Sequence, residues 1–163
     1  MAGGKPAANG RDQQRLIVVA AAIVEREGRY LIAQRYDEAI LGGLWEFPGG
    51  KCRPGETLED CLHRELMEEL GVQVNVVARE RIITHAYDHG PVELHFYRCV
   101  MKAGEPRPLG CQAVRWVAPH ELVNYSFPPA DRPLIDALAS IKPTLAQSGG
   151  DAPLPLKPPS PYT

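Results

Sequence analysis

Residues 57–71, TLEDCLHRELMEELG, have the pattern of one amphipathic helix with defined ends. Thr57 is a typical N-cap residue, and Gly71 suits the left-handed position that follows a helix. Leucines recur along the segment at a spacing that places them on one helical face. The segment therefore predicts a helix that packs a leucine face against the rest of the domain, formed by Leu58, Leu62, Leu66 and Leu70.

The same helix carries a crowded group of acids, Glu65, Glu68 and Glu69. At about 100° per residue, the carboxylates share an arc of roughly 100°, and Glu69 falls within the leucine sector. A carboxylate in an apolar sector has to be paired, protonated or bound to a metal. Arg64 is the nearest cation on the helix, but helical geometry directs it to another side. A divalent cation such as Mg²⁺ answers both the burial and the repulsion, and a solvated acidic face is the alternative.

Apolar runs on either side of this helix predict strands. Residues 16–25 and 29–35 read as strands joined by a tight turn. LWEFPGG (44–50) reads as a short strand that ends at Pro48 and continues as a loop. Further predicted elements are a long hairpin (72–87 and 92–101), a strand (112–118), a helical turn (119–123) and a second helix (130–141). A mixed sheet with these two helices indicates an α/β protein.

Composition limits the class of protein. The chain has 163 residues, a net charge of −2 and 44% apolar residues. This favours one globular domain, 16–141, between a flexible N-terminus, 1–15, and a Pro-rich tail, 142–163, that we expect to be disordered. The acidic balance argues against stable nucleic-acid binding. No run is long and apolar enough for a membrane span and no secretory signal is visible, so we expect a cytoplasmic protein.

Cysteines and histidines form no ligand pattern. The four cysteines are scattered without a CxxC pair, which favours reduced thiols over a zinc site or disulfides. The histidines at 85, 89 and 95 flank the predicted hairpin at no spacing typical of a metal site.

A glycine-rich loop, GGKCRPGE (49–56), comes directly before the acidic helix. Glycines let a backbone approach a ligand closely, so the loop is able to bring amides and carbonyls to the edge where the carboxylates emerge. Glu56 is placed to accept hydrogen bonds from the loop or to pair with Arg64.

Together these residues resemble the Nudix box. Gly50 is followed after five residues by Glu56 and after seven more by RELMEELGV (64–72). From average residue usage, a chance match is on the order of one in 10⁸ per start point. LWEFPGGK and FPPAD (127–131) resemble the MutT-type branch, whose members hydrolyse nucleoside triphosphates, often oxidised ones. The resemblance spans roughly residues 16–141 and implies an α/β/α sandwich around a mixed sheet.

The resemblance also implies roles at the catalytic end of the site. Glu65, Glu68 and Glu69 match the family's catalytic and metal-binding glutamates, and the carbonyl of Gly49 matches its backbone metal ligand. Arg64 and Glu56 match the supporting ion pair. We assign Glu68 and Glu69 mainly to the metal, and Glu65 to a metal-linked general base. Mg²⁺ is the expected cofactor, with Mn²⁺ as a substitute.

The substrate end is implied by three further residues. Arg35 matches a residue that contacts the nucleotide phosphates, and Asp131 occupies the position where MutT uses Asn to read the base. Phe47 is a candidate to stack on the base, as are Trp45, Tyr87 and Phe127, although core packing is the alternative for each. The chain departs from the pattern at Gly110, where related enzymes carry another metal-binding glutamate.

The predicted activity is Mg²⁺-dependent hydrolysis of a (deoxy)nucleoside triphosphate to a monophosphate and pyrophosphate. Modified nucleotides such as 8-oxo-dGTP are the first candidates. An ionised Asp131 only accepts hydrogen bonds, so CTP or a 5-modified dCTP stays open, as does a non-catalytic nucleotide-binding domain. The expected partner is a small nucleotide, and the expected assembly is a monomer or a homodimer.

Overall fold

The computed structural model describes residues 15–141. The predicted flexible N-terminus, apart from Arg15, and the predicted Pro-rich tail lie outside the described residues. Strands and helices are, in order, β1 Ile17–Arg26, β2 Arg29–Gln34, β3 Trp45–Glu46, β4 Gly49–Lys51, α1 Leu58–Leu70, β5 Gln73–Tyr87, β6 Gly90–Ala103, β7 Ala113–Val117 and α2 Arg132–Ala139, with 3₁₀ turns at Pro119–Asn124 and Pro129–Asp131. Within the described range, no helix has the length and apolar character needed to cross a membrane.

The strands form one mixed sheet with β1 near its centre. Its order is β3-β2-β1-β6-β5, with β7 pairing β2 and β4 pairing β1. β1 runs parallel to β6 from Ile17↔Val92 to Glu25↔Val100, and its other partners are antiparallel. The mixed sheet and its flanking helices confirm the predicted α/β class.

Two cores lie on the two faces of the sheet. On one face, the leucines of α1 pack against Ala20, Ala22 and Val24 of β1. On the other face, α2 packs against Ile23 and Phe96. The alternation of side chains along β1 divides its apolar run between these cores. The result is the α/β/α layering that the resemblance implied.

Helix α1 has the predicted ends. The hydroxyl of Thr57 accepts from the N–H of Asp60 at 3.1 Å. Gly71 adopts φ 69°, and its N–H donates to the carbonyl of Met67 at 3.0 Å. These caps fix where the helix starts and stops, so they also fix the direction in which its glutamates project.

Two local predictions differ from the structure. The segment predicted as loop after Pro48 contains a second short strand, β4, which pairs with Val19–Ala21 of β1. Gly49 permits this pairing because a Cβ there would lie 2.1 Å from the carbonyl oxygen of Ala20. The second helix, predicted over 130–141, is shorter, because Pro129–Asp131 form a 3₁₀ turn and α2 runs only over Arg132–Ala139.

Candidate active site

A cavity of about 360 Å³ lies between β4, α1 and the tip of the β5–β6 hairpin. It brings together residues that are far apart in the sequence. Of the predicted site residues it gathers Arg35, Phe47, Gly49, Glu65, Glu69 and Asp131. The predicted residues Glu56, Arg64 and Glu68 do not line the cavity, but Arg64 contacts Glu65, which does.

The Arg64 cluster, formed by Arg64, Glu56, Glu65 and Glu68, joins the helix to the preceding loop. The Arg64 guanidinium donates to Glu56 at 2.7 and 2.9 Å, to Glu65 at 2.7 Å and to Glu68 at 3.3 Å. It also donates to the carbonyl of Lys51 at 3.1 Å. The expectation that Arg64 points away from the glutamates is therefore wrong, because its long side chain curves back over them.

Within this cluster, the Glu56 carboxylate of the loop is stabilised in its charged form. The Arg64 guanidinium, helped by the N–H of Arg53, lowers the pKa of Glu56 to about 2. The backbone N–H of Arg53 donates to Oε2 of Glu56 at 2.9 Å. Glu56 thus makes both contacts for which the sequence placed it, and Arg64 binds the loop to the first catalytic candidate, Glu65.

Gly50 makes room for the Glu65 carboxylate. A Cβ at position 50 would lie 2.3 Å from Cδ of Glu65 and 2.5 Å from its Oε2. Gly50 therefore lets the carboxylate lie flat against β4, while Oε1 accepts from Arg64. Gly50 is needed for the position of the Glu65 side chain, whereas Gly49 is needed for the pairing of β4 with β1.

Glu69 is the least satisfied member of the acidic helix. Burial raises its pKa to about 8, and repulsion from Glu46 and Glu65 adds to this shift. The sequence placed Glu69 in the leucine sector of the helix, and the raised pKa is the consequence of that position. A cation in the cavity would relieve this repulsion directly.

Glu46 is a cavity residue that sequence reasoning missed. It lies on β3, and its carboxylate accepts from Arg35 at 2.7 Å. Burial raises the pKa of Glu46, although Arg35 opposes the shift. Arg35 also donates from Nε to the carbonyl of Ile40 at 2.8 Å, so the pair is held at the mouth of the cavity. A glutamate inside the apolar stretch LWEF was the available signal.

Asp131 also lines the cavity, and it is almost fully buried. It is 3% exposed, and no described residue partners its Oδ1. Burial and the nearby Glu46 raise its pKa to about 7. It stands at the N-cap position of α2, yet its side chain makes no capping hydrogen bond. The structural alternative for Asp131, a helix cap, therefore does not explain its burial.

Aromatic side chains also line the cavity. Phe47 is 3% exposed and packs edge-on against Phe96, at 6.1 Å between ring centroids. Of the other stacking candidates, Tyr87 also lines the cavity, where its ring stacks on that of His89 at 5.1 Å. Trp45 and Phe127 instead pack in the core between the sheet and α2. Trp45 contacts Tyr125, and Phe127 contacts Phe47.

Gly110 contacts the backbone of the acidic helix. Its N–H donates to the carbonyl of Glu69 at 2.9 Å. A Cβ at position 110 would lie 3.1 Å from both Cα and Cγ of Glu69. A side chain at this position would therefore stand against Glu69, but the chain places no carboxylate here. The cavity instead includes the carboxylate of Glu46, on β3.

The donor chemistry of the cavity fits a hard divalent cation. Its carboxylates and the backbone at Gly49 offer oxygen ligands, which Mg²⁺ prefers. Burial and repulsion from Glu46 and Glu65 raise the pKa of Glu69 to about 8, and a bound cation would oppose that shift. Within residues 15–141, however, no three His, Cys, Asp or Glu side chains are gathered as a ready metal site. Glu65 and Glu68 instead contact Arg64, and Glu68 also contacts Arg53 at 3.4 Å.

Comparison with known proteins identifies the family. The NUDIX domain model matches residues 19–137. The chain therefore belongs to the Nudix hydrolases, as the box at residues 50–72 predicted, and the enzyme class is confirmed.

Individual relatives extend this similarity. The chain is 37% identical over 130 residues to the CTP pyrophosphohydrolase of Escherichia coli (strain K12), covering 78% of this chain and 95% of that protein. It is 43% identical over 124 residues to the putative 8-oxo-dGTP diphosphatase 2 of Mycobacterium tuberculosis (strain ATCC 25618 / H37Rv), covering 76% and 87%. The solution structure of the E. coli ORF135 protein matches with a TM-score of 0.67 at 36% identity, covering 79% of this chain and 94% of that one.

Proposed function

We propose that the protein hydrolyses (deoxy)nucleoside triphosphates to a nucleoside monophosphate and pyrophosphate in the presence of Mg²⁺, and that modified nucleotides such as 8-oxo-dGTP are its substrates. The observation that carries the proposal is one cavity lined by two unlike groups of side chains. Glu65 and Glu69 are suited to a metal that binds phosphate, and Asp131, whose Oδ1 has no partner, lines the same cavity together with Phe47 and Tyr87.

At the catalytic end, Glu65, Glu68 and Glu69 with the carbonyl of Gly49 would hold the cation. A bound Mg²⁺ would neutralise phosphate charge and lower the pKa of a coordinated water. Glu65 takes the proton from the attacking water, and Arg64 and Gly50 keep its carboxylate in place. Arg35 contacts the phosphate tail from the cavity mouth. The water oxygen joins the β-phosphorus as the bond from that phosphorus to the α-phosphate oxygen breaks.

At the base end, Asp131 reads the base and Phe47 and Tyr87 bound its ring. An ionised carboxylate accepts from the exocyclic amine of cytosine or from N1–H and the amine of guanine. This chemistry keeps a CTP or 5-modified dCTP pyrophosphatase as the second candidate. A relative named as a CTP pyrophosphohydrolase favours it, and another named as a putative 8-oxo-dGTP diphosphatase favours the first.

A substrate panel tests both candidates. Unmodified, 8-oxo and 5-modified nucleoside triphosphates are incubated with Mg²⁺, and monophosphate and pyrophosphate are quantified. Hydrolysis in ¹⁸O-water should place the label in pyrophosphate, because attack occurs at the β-phosphorus. Nucleotide binding without turnover of any substrate would contradict the proposal and favour a non-catalytic nucleotide-binding domain.

Asp131→Asn separates the two base preferences. The amide both donates and accepts, so we expect the ratio of kcat/KM between guanine-type and cytosine-type substrates to change by about tenfold, as loss of one specific hydrogen-bond pair does. The matched control is Asp136→Asn, on the exposed side of α2. An unchanged ratio would show that Asp131 does not read the base.

A further inference from the structure

We propose that Cys52 and Cys61 are a redox-sensitive pair, which hydrogen peroxide oxidises to a disulfide between the loop after β4 and helix α1. All four cysteines of the chain lie within residues 15–141, and all four are free thiols. Their spacing in the sequence does not distinguish these two from the others, because no CxxC pair is present. The fold distinguishes them, and formation of the disulfide does not depend on the proposed substrate.

The packing of β4 on α1 brings the two cysteines to the same interface. Gly50 faces α1, because a Cβ there would lie 2.3 Å from Cδ of Glu65. Cys52 comes two residues later, so along an extended strand it projects to the same side, about 7 Å further on. Cys61 comes four residues before Glu65, so it lies on the same side of α1, about 6 Å earlier along the helix. Because the loop 53–57 turns the chain back, the two offsets run in the same direction, and Cys52 faces Cys61.

Contacts around the two thiols support this arrangement. The N–H of Cys52 donates to the carbonyl of Val18 at 2.9 Å, so Cys52 continues the pairing of β4 with β1. Sγ of Cys61 donates to the carbonyl of Gly50 at 3.5 Å. Cys52 packs against the core that contains Cys61. Burial raises the pKa of the Cys61 thiol, and a hydrogen bond with the Cys52 thiol adds to this shift, so the two sulfur atoms are neighbours.

The two thiols differ in their access to solvent, and this difference sets the order of the reaction. Cys61 is 0% exposed. Cys52 is half-buried and lines a second cavity of about 610 Å³, beside the start of β1. Peroxide therefore reaches Cys52 first. The sulfur of Cys52 attacks one peroxide oxygen, the O–O bond breaks, and the thiol proton leaves with the other oxygen as water, which gives a sulfenic acid.

The second step joins the two sulfur atoms. The sulfur of Cys61 attacks the sulfur of Cys52, the S–O bond breaks, and the hydroxyl leaves with the Cys61 proton as water. The two thiols have then lost two electrons and two protons, which reduce one peroxide to two waters. Because a raised pKa keeps the Cys61 thiol protonated, this step is the slower one. The sulfenic acid of Cys52 should therefore live long enough to be trapped.

A disulfide at this position would act on the residues next to it. Nη2 of Arg64 lies 3.9 Å from Sγ of Cys61 and also donates to Glu56 at 2.9 Å. The carbonyl of Gly50 contacts the same sulfur, and Glu65 lies against Gly50. Joining the sulfur atoms draws the loop and the helix together here, so we expect the Arg64 cluster and Glu65 to shift and turnover to fall. This effect, unlike the disulfide itself, rests on the proposed function.

Mass spectrometry of the full-length protein tests the disulfide. The protein is treated with hydrogen peroxide in EDTA, unfolded and alkylated. Trypsin leaves both cysteines in one peptide, 52–64, because Arg53 precedes a proline. We expect this peptide to lack two hydrogen atoms and to carry no alkyl group, while the other two cysteines are alkylated. Cleavage at Glu56 should then give two fragments that separate only on reduction. Alkylation of Cys61, or a disulfide to another cysteine, would overturn the proposal.

Two variants separate the steps. Cys61→Ala should stop at the sulfenic acid of Cys52, which dimedone traps, whereas Cys52→Ser should neither be labelled there nor form a disulfide. Cys99→Ala is the matched control, because Cys99 is also buried but its Sγ donates to the carbonyl of Tyr97 on its own strand. It should oxidise like the wild type. Equal dimedone labelling of Cys52→Ser and Cys61→Ala would contradict the assignment of Cys52 as the first site.

Turnover separates the modification from its effect. We expect the oxidised protein to hydrolyse the best substrate of the panel at least about tenfold more slowly, because small displacements of catalytic groups reduce rates strongly. Dithiothreitol should restore the rate, and peroxide-treated Cys52→Ser should keep its own. Unchanged turnover in a fully cross-linked sample would refute the regulatory effect. If the reduced protein hydrolyses no substrate, the proposed function fails while the mass analysis still decides on the disulfide.

Discussion

The Arg64 cluster differs in its electrostatics from two other acids of the same site, the half-buried Glu69 and the buried Asp131. In the cluster, one guanidinium contacts three carboxylates, and the pKa of Glu56 falls to about 2. In these two acids, loss of hydration raises the pKa of Glu69 to about 8 and that of Asp131 to about 7. The first group holds the loop and helix together. The second keeps carboxylates where a ligand, rather than the protein, would satisfy them.

This difference distinguishes acids that stabilise the fold from acids that are available to a ligand. A satisfied ion-pair network contributes to structure, and an uncompensated buried acid is a cost that folding alone does not justify. Glu65 belongs to both groups, because it accepts from Arg64 and also lines the cavity. It is thus the carboxylate whose position the scaffold controls most directly.

Removing the Glu69 charge should have the largest effect on activity. We expect Glu69→Gln to lower kcat/KM by about 10³-fold, because a ligand of the cation that stabilises charge in the transition state is lost. Steady-state kinetics with Mg²⁺ measures this, and circular dichroism shows whether the fold is kept. Glu59→Gln, at an exposed glutamate of the same helix, is the matched control and should retain wild-type kinetics. Full activity in Glu69→Gln would refute the metal assignment.

Substitution of Gly49 should mainly lower stability, whereas substitution of Gly50 should mainly lower activity. Gly49→Ala places a Cβ against backbone of β1 at a φ of 154°, so we expect it to lower the free energy of unfolding by about 3 kcal/mol or more. Gly50→Ala meets only the end of the Glu65 side chain, which moves, so we expect near wild-type stability with about 10²-fold lower kcat. Urea unfolding and turnover measure the two effects. Equal behaviour of the two variants would contradict the roles given to β4 and Glu65.

The pH dependence of stability should reveal the buried Asp131. Its folded-state pKa of about 7 exceeds the ordinary value of 3.8, so the folded protein retains a proton that the unfolded chain loses. The contribution of Asp131 to stability is therefore greatest below pH 4 and falls as the pH rises through 7. Asp131→Asn removes this slope, and the variant should gain on the order of 3 kcal/mol relative to wild type between pH 4 and pH 8. Urea unfolding across this range measures it, and Asp136→Asn should show no such gain.

The smallest effect is expected at the exposed end of the Arg64 cluster. Arg53 and Glu68 are 63% and 51% exposed in their ion pair, so Arg53→Gln should change the free energy of unfolding by less than about 0.5 kcal/mol. Arg64→Gln should destabilise the protein far more, because three carboxylates then lose their common partner. Urea unfolding of both variants compares the two arginines, and similar losses would show that burial does not distinguish them.

The sequence predicted the features that depend on local signals. The ends of α1 follow from Thr57 and Gly71, the hairpin follows from two apolar runs around a turn, and the family follows from a spaced motif. The α/β fold and the family are confirmed. The catalytic and binding roles assigned to individual residues remain predictions, although the cavity collects six of them.

The features that were missed depend on contacts across the fold. β4 is a strand only because it pairs with β1, which precedes it by about 30 residues. The direction of Arg64 was wrong because helical geometry gives the direction of Cβ, not the reach of a long side chain. Glu46 lies on a strand of two residues, too short to show an alternating pattern. The lack of a partner for Asp131 is likewise visible only when its neighbours are known.

The alanines of β1 limit how this enzyme can vary. Ala20–Ala22 are at most 4% exposed, with β4 on one side and β6 on the other. A larger side chain at these positions would move β4, which borders the cavity, and the core together, so one substitution would alter both the cavity and the folding of the protein. The outer strand β5, where Val77 and Ile82 are exposed, carries no such double constraint. Among related enzymes, sequence drift should therefore accumulate along β5, while β1 keeps its small residues.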